Sequence, residues 1–220
     1  MQIPDFPGRA LPSIEARQHA LWLDALLHRE LVDTGVLQAR VAWTPEKRAA
    51  AEELVRRRYA WRGYRTALPS ERDCAGPRSG SHWVTLLAED QGQLVGTLTV
   101  GPDSPHGLLA EGTYAREIRA LRRNGSRVGE LTKLALEKGV DWKAALDALV
   151  QAAWTVTRIA HALTDVVIEV NPRHVKFYQR VFGFEQLASG RVCSRVGAPS
   201  VLLILDLERF GRRRAEAPIA

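Results

Sequence analysis

One carboxylate interrupts an apolar, strand-like segment of the sequence. Glu130 lies within residues 128–137, and alternate residues of a strand point to opposite faces. The alternation places Glu130 on one face with Thr132, Leu134 and Leu136. A carboxylate among apolar neighbours is costly unless it is paired or functional. Either Glu130 pairs with an arginine in the core, or it is a desolvated base that takes a proton from an amine at neutral pH.

A second group of candidate residues follows the next predicted strand, 165–170. Asn171 lies at the carboxyl end of that strand, where open α/β sheets bind ligands. The helix that follows carries His174 and Tyr178 four residues apart, so their side chains share a face. Tyr178 either donates a proton or holds a thioester carbonyl, or it packs with its hydroxyl at the rim. His174 either belongs to the same site or is a surface residue.

Several common motifs are absent from the sequence. There is no phosphate-binding G-x-x-x-x-G-K-[ST], no G-x-G-x-x-G, no G-x-S-x-G, no H-E-x-x-H and no C-x-x-C. The six histidines are scattered, and two cysteines are too few for a structural zinc site. We therefore expect no metal, and chemistry that depends on a positioned acid or base.

The elements that must position these residues follow from the hydrophobic periodicity. We predict an α/β (α+β) fold with a mixed, mostly antiparallel central sheet, a parallel pair at its centre and flanking helices. We predict an N-terminal arm and helix over 1–36, a single domain over 37–209 and a flexible basic tail over 210–220. The predicted helices are 13–33, 44–62, 110–123, one from 141 and 171–182; the strands are 37–43, 83–89, 93–100, 128–137, 165–170, 191–197 and 200–207.

Composition limits the class of protein. The chain has 220 residues, of which 45% are apolar, and this is enough to bury a core and excludes a disordered protein. No run reaches the ~18 apolar residues of a membrane span, and the N-terminus lacks the layout of a secretory signal. We expect a cytoplasmic protein without a membrane span, and proximity to a membrane surface stays open.

The net charge of +6 has two explanations. Only five of the 31 basic residues are lysines, and arginine binds planar carboxylates and phosphates with a fork of donors. The excess of arginine reflects either a proteome that is rich in arginine or an anionic partner. Arginines cluster at 56–65 and at 116–127, either as solvated faces or as a docking surface. The sequence signatures of the common nucleic-acid-binding folds are absent, so we expect no nucleic-acid partner.

The sequence resembles a known family over roughly residues 40–207. Segment 171–184 resembles the "N…(F/L)Y…GF" run of the GNAT acyltransferases. Segment 129–135 reads Gly-Glu-Leu-Thr-Lys-Leu-Ala and is similar to "E-[VL]-S-R-[LF]-A" of the long-chain N-acyl amino acid synthases (FeeM-like). That branch is related to the acyl-homoserine-lactone synthases. Segments 171–178 (NPRHVKFY) and 58–64 also resemble it, whereas Thr132 and Lys133 replace the Ser and Arg of the motif.

The resemblance implies transfer of a long acyl chain from a pantetheine thioester, a co-substrate, to the amine of a small acceptor, without a bound cofactor. Glu130 would be the base and Tyr178 the acid for the leaving thiolate. Backbone N–H groups near Leu134–Leu136 would hold the oxyanion. The expected substrate-binding residues are Lys133, Leu134, Leu136, Asn171, His174 and Arg58.

One departure from the wider family concerns the acyl donor. Typical CoA-dependent GNATs cradle the pyrophosphate with a glycine-rich loop at a helix N-terminus. Here segment 137–142 has one glycine, and Asp141 stands at the cap, where it would repel a pyrophosphate. This favours acyl carrier protein as donor, with the docking residues Arg57, Arg62, Arg119, Arg122 and Arg123. The alternatives are a conventional acyl-CoA-dependent GNAT and a non-catalytic module that binds an acyl chain or carrier protein.

Overall fold

The computed structural model describes residues 30–33, 37–64 and 83–216. The strands in these ranges are β1 Glu30–Asp33, β2 Leu37–Val41, β3 Val84–Asp90, β4 Gln93–Pro102, β5 Val128–Leu136, β6 Asp165–Val170, β7 Glu185–Gln186, β8 Arg191–Cys193 and β9 Ala198–Asp206. The helices are α1 Pro45–Ala60, α2 Glu111–Arg123, α3 Trp142–Trp154, α4 Val175–Phe182 and α5 Leu207–Glu216. A π-helical segment, Thr155–Ala160, continues α3, and a 3-10 turn, Pro172–His174, precedes α4.

The described strands form a mixed sheet with one parallel pair at its centre. Their order is β1-β2-β3-β4-β5-β6-β9-β7, and β8 pairs with β9 outside this path. The β5–β6 pair is parallel, whereas the other pairs among the described strands are antiparallel. The crossover from β5 to β6 is α3 with its π-helical extension. The predicted fold class is therefore confirmed.

Helices cover both faces of the sheet because its strands alternate apolar residues between the faces. On one face, Ile118 of α2 packs with Val167 of β6, and α1 packs further along the sheet. On the other face, α3, α4 and α5 cover the sheet, and Leu149 of α3 packs with Leu86 of β3. Burial of one such side chain contributes about 1.5–3 kcal/mol.

The helices begin and end where local chemistry predicts. The hydroxyl of Thr44 accepts a hydrogen bond from the Lys47 N–H at 3.2 Å, and Pro45 occupies the first turn of α1. The Asp141 carboxylate accepts from the Lys143 and Ala144 N–H groups, both at 3.1 Å, and so caps α3. Gly183 ends α4 at a φ of 81°, in the left-handed region that favours glycine.

The two central strands separate after a short common segment. Register pairs between β5 and β6 end at Glu130↔Val167, although β5 continues to Leu136 and β6 to Val170. Lys133 has a φ of 56°, and the β4–β5 register shifts beside it. An extra residue in a strand exchanges the faces of the residues that follow. Thus β5 is both bulged and unpaired on its β6 side.

The bulge overturns the predicted alternation of β5. Leu134 and Leu136 pack on the face covered by α3 and α4, whereas Glu130 lies on the α2 face beside Ala110. Ala135 packs against α1, as expected for a residue of the opposite parity after the bulge. The prediction that Glu130 shares a face with Leu134 and Leu136 is therefore wrong.

Other predictions differ from the structure at the ends of the chain. Residues 30–33 pair with β2 as a strand, so the predicted helix 13–33 is wrong there. Residues 210–216 belong to α5, and Phe210 is buried against Trp154, so the predicted flexible tail is wrong for these residues. The rest of both predictions, 1–29, 34–36 and 217–220, lies outside the described residues. The domain boundaries stay a prediction. Among the described helices, none has the length and apolar character needed to cross a membrane.

Candidate active site

A cavity of about 570 Å³ opens where β5 and β6 separate. Residues from both faces of the sheet line it, because no hydrogen-bonded ladder closes the gap between the two strands. We call the part of the lining with partly or fully exposed side chains, which includes Arg58, Arg62 and Trp142, the wide end of the cavity. Its inner end is apolar and lies beneath α3, α4 and α5, where the lining includes Leu146, Val150, Trp154, Phe182 and Phe210.

The cavity brings together most of the predicted site residues. It is lined by every predicted substrate-binding residue and by the predicted acid Tyr178: Arg58, Lys133, Leu134, Leu136, Asn171, His174 and Tyr178. Glu130, the predicted base, is adjacent but does not line the cavity, because its side chain is 1% exposed and lies behind the wall. Residues far apart in sequence thus meet at the gap between β5 and β6.

Glu130 is a buried carboxyl with one satisfied oxygen. Its Oε2 accepts a hydrogen bond from the Ala110 N–H at 3.0 Å, just before α2. Its Oε1 has no hydrogen-bond partner among the described residues and lies 3.9 Å from a guanidinium nitrogen of Arg195. Burial raises the pKa of Glu130 to about 7, although Arg195 and the Ala110 N–H oppose this rise. A carboxyl with such a pKa can accept and return protons near neutral pH.

Three further residues belong to this site and were not predicted. Arg195 donates to Glu169 Oε2 at 2.7 Å, and the Ser200 hydroxyl donates to Glu169 Oε1 at 2.7 Å. Arg195, Glu169 and Ser200 all line the cavity. Glu169 carried a sequence signal, because it is a charged residue in an otherwise apolar strand core. Arg195 lies in the turn between β8 and β9 and carried none.

The backbone of β5 offers donors to the cavity. The Glu137 N–H donates to the Val95 carbonyl of β4 at 2.8 Å. Successive N–H groups of a strand point to opposite sides, so the Leu136 N–H points away from β4 and into the gap. The Leu134 N–H points the same way, two residues earlier. Fixed backbone donors of this kind stabilise a developing oxyanion.

The residues contributed by α4 and its approach have distinct environments. Burial raises the pKa of Tyr178 to about 12, so its hydroxyl carries a proton at neutral pH. Burial, together with Arg173 and Arg62, lowers the pKa of His174. Asn171 caps the 3-10 turn by accepting from the Arg173 N–H at 3.2 Å, and its amide donates to the Pro199 carbonyl at 3.3 Å. Asn171 therefore also joins the end of β6 to β9.

The predicted docking arginines separate into two groups. Arg62 lines the cavity, and Arg57 pairs at 2.8 Å with Glu137, which also lines it. The second group lies in the last turns of α2, which precede the first residues of β5, and comprises Arg119, Arg122 and Arg123. It is separate from the later residues of β5, 131–136, which line the cavity.

Arg122 has a structural role in the described fold. It pairs with Asp103 at 2.5 Å and also with Glu111, and these carboxylates raise the pKa of its guanidinium. Its side chain is 29% exposed, and its donors are committed to these two partners. The assignment of Arg122 to a docking surface stays a prediction, and these ion pairs favour a structural role for the residue.

Comparison with known structures defines the class of protein. The chain is similar to a putative N-acetyltransferase from Lactobacillus plantarum, with a TM-score of 0.54 and 17% identity, over 79% of this chain and 99% of that chain. It is also similar to the AHL synthase LasI, with a TM-score of 0.52 and 13% identity, over 79% and 91%. These likenesses show a GNAT-like fold, and together with the family match below they identify an acyltransferase.

The family is more specific. The model of the family "N-acyl amino acid synthase FeeM" matches residues 50–206, and the chain therefore belongs to this family. The structure of FeeM, an N-acyl amino acid synthase from uncultured soil microbes, is similar with a TM-score of 0.71 and 25% identity. The similarity covers 79% of this chain and 92% of that chain. No curated protein sequence matches the chain.

Proposed function

We propose that this protein transfers a long-chain fatty acyl group from acyl carrier protein to the amine of an amino acid or a similar small acceptor in the cytoplasm. The observation that carries the proposal is the apolar inner end of the cavity. Sites for ligands of drug size occupy roughly 300–1,000 Å³, and a cavity of about 570 Å³ is far larger than a two-carbon acyl group needs. Leu146, Val150 and Phe182 offer no hydrogen bonds there, as suits an alkyl chain.

The cap of α3 supports a carrier-protein donor. A free helix N-terminus is a ready anion site. In α3 the Asp141 carboxylate already accepts from the Lys143 and Ala144 N–H groups. Its negative charge disfavours a pyrophosphate at this position, whereas an arm that carries one phosphate need not approach it.

The reaction forms one C–N bond and breaks one C–S bond. The acceptor amine attacks the thioester carbonyl, and the Leu134 and Leu136 N–H groups stabilise the oxyanion. Tyr178 donates a proton to the departing thiolate and regains one from the nitrogen of the acceptor. Starting from the ammonium form, the acceptor loses two protons in all: one ends on the released thiol, and the other leaves to solvent.

The carboxylates Glu130 and Glu169 handle the second proton. Glu169 lines the cavity and attracts the acceptor ammonium, whereas Glu130 lies behind it with a pKa near 7. Arg195 bridges the two, at 2.7 Å from Glu169 and 3.9 Å from Glu130. We assign Glu130 the role of base, acting through a water molecule because its side chain does not reach the cavity.

The test is turnover with matched donors. The purified protein is incubated with saturated acyl chains of several lengths, loaded on acyl carrier protein or on coenzyme A, and with a mixture of amino acids. Extracted lipids are analysed by mass spectrometry. An N-acyl amino acid formed with the carrier donor supports the proposal. Turnover with acyl-CoA alone contradicts the proposed donor, and no product with either donor contradicts the proposed reaction.

A further inference from the structure

Three cations surround one exposed tryptophan at the end of α1. Trp61 is 59% exposed, although a large aromatic side chain is usually more buried. The charged groups of Arg58, Arg62 and Lys138 lie 5.4, 4.8 and 5.0 Å from the centre of its ring. Each distance is within the range of a cation–π contact. The ring therefore holds three positive charges close together.

None of these three cations forms an ion pair within 4 Å in the part of the chain that the structure describes, although Arg58 is near enough to Glu137 to help lower its pKa. The neighbouring Arg57 differs, because it pairs with Glu137 at 2.8 Å and lies 3.7 Å from Glu53. Like charges held at one ring repel each other, and a cation–π contact at an exposed site contributes only about 0.5–1 kcal/mol. An anion close to such a cluster would stabilise it.

The cluster lies at the wide end of the cavity. Arg58 and Arg62 line the cavity, and Lys138 follows Glu137, which also lines it. Leu134, whose N–H faces the gap, precedes Lys138 by four residues, so the two lie at most about 13 Å apart, the span of four extended residues at about 3.3 Å each. A donor whose thioester lies at Leu134 and whose arm follows β5 outward therefore reaches the cluster.

We propose that Arg58, Arg62 and Lys138 bind the phosphate of the donor's pantetheine arm, with Trp61 holding the three side chains in place. The inference rests on the proposed function, because it concerns the same acyl donor. It differs from anion binding at the N-terminus of α3, which Asp141 occupies. The shared chemistry is a phosphate ester on pantetheine, which both a carrier protein and coenzyme A supply.

The experiment compares four donors with the same acyl chain and the same acceptor. They are acyl-pantetheine, which has no phosphate, acyl-4′-phosphopantetheine, acyl-CoA and acyl carrier protein. The variants are Arg62→Gln and the triple change of Arg58, Lys138 and Arg62 to Gln. Arg180→Gln, on the exposed side of α4, is the matched control for the loss of one arginine charge.

We expect Arg62→Gln to raise the KM for acyl-4′-phosphopantetheine about fivefold, the size expected for one partly exposed charged contact. The triple variant should raise it further. The KM for acyl-pantetheine should rise less than the KM for acyl-4′-phosphopantetheine in both variants, and far-UV circular dichroism spectra should match the wild type, which shows that the variants fold. The Arg180→Gln control should match the wild type with every donor.

The outcomes separate this inference from the proposed donor. Equal KM changes for the donors with and without phosphate would overturn the inference, as would no change for either. A phosphate-dependent loss seen with acyl-4′-phosphopantetheine and acyl carrier protein supports both proposals. A phosphate-dependent loss in a protein that turns over acyl-CoA but not the carrier donor supports the cluster and contradicts the carrier.

Discussion

Replacing Glu130 by glutamine should make the protein less active and, at high pH, more stable. The amide keeps the acceptor for the Ala110 N–H but cannot ionise. Burial raises the pKa of Glu130 from 4.5 to about 7, so the folded protein binds this proton more tightly than the unfolded chain. The free energy of unfolding of the wild type therefore falls as the pH rises through that interval.

The size of the effect follows from the two pKa values. The interval from 4.5 to about 7 corresponds to about 3 kcal/mol of folding free energy. This loss of folding free energy is absent below pH 4.5 and complete above about pH 7. Glu130→Gln removes this dependence, so its stability relative to wild type should rise by about 3 kcal/mol between about pH 4.5 and about pH 8.

Urea unfolding at several pH values measures this difference. Comparing the variant with wild type at both ends of the pH range cancels any packing change that does not depend on pH. In parallel, loss of the base should lower kcat about 10²–10⁴-fold. Glu185→Gln, which removes an exposed carboxylate of β7, should retain turnover. Identical pH dependence of unfolding in wild type and Glu130→Gln would refute the buried-carboxyl reasoning, and near-normal turnover would refute the base.

Three other substitutions test separate parts of the site. Arg195→Gln removes the cation that lowers the pKa of Glu130. The acidic limb of the pH profile of kcat/KM should therefore move to higher pH by about one unit or more. The control Arg191→Gln, on the same hairpin, should leave this limb in place. Val150→Phe narrows the apolar end of the cavity, so with a mixture of donors of different chain lengths the products should shift toward shorter acyl chains. An unchanged distribution of products in mass spectra would contradict the placement of the acyl chain at this end. Arg122→Gln should cost about 1 kcal/mol in urea unfolding without changing the KM for acyl carrier protein. A raised KM would assign Arg122 to the docking surface.

Local signals explain the elements that were predicted well. The strand predicted at 165–170 has the bounds of β6, because four β-branched residues in six favour an extended, buried segment. The predicted end of α4 at Phe182 follows from Gly183, whose backbone adopts the left-handed conformation at a low cost. Thr44 and Asp141 are the helix caps that their positions predict.

Long-range pairing explains most of what the sequence did not predict. The bulge at Lys133 places a residue other than glycine at a positive φ, so composition gives no sign of it. Without the bulge, simple alternation assigns Glu130 to the wrong face. The contact of Arg195 with Glu169 joins the β8–β9 turn to β6 across 26 positions, and only the folded sheet brings them together. The helix α5 was missed because its many charges obscured the buried Leu207 and Phe210.

The separation of β5 from β6 also has a kinetic consequence. A cavity that passes between two strands is lined from both faces of the sheet, and here Tyr59 lines it on the α1 side while Phe182 lines it on the other. In the proposed reaction, donor and acceptor can then occupy the cavity together, each on its own side of the sheet. Initial-rate plots against the two substrates should therefore give intersecting lines, as in a ternary-complex mechanism, and the thiol should not leave before the amine binds.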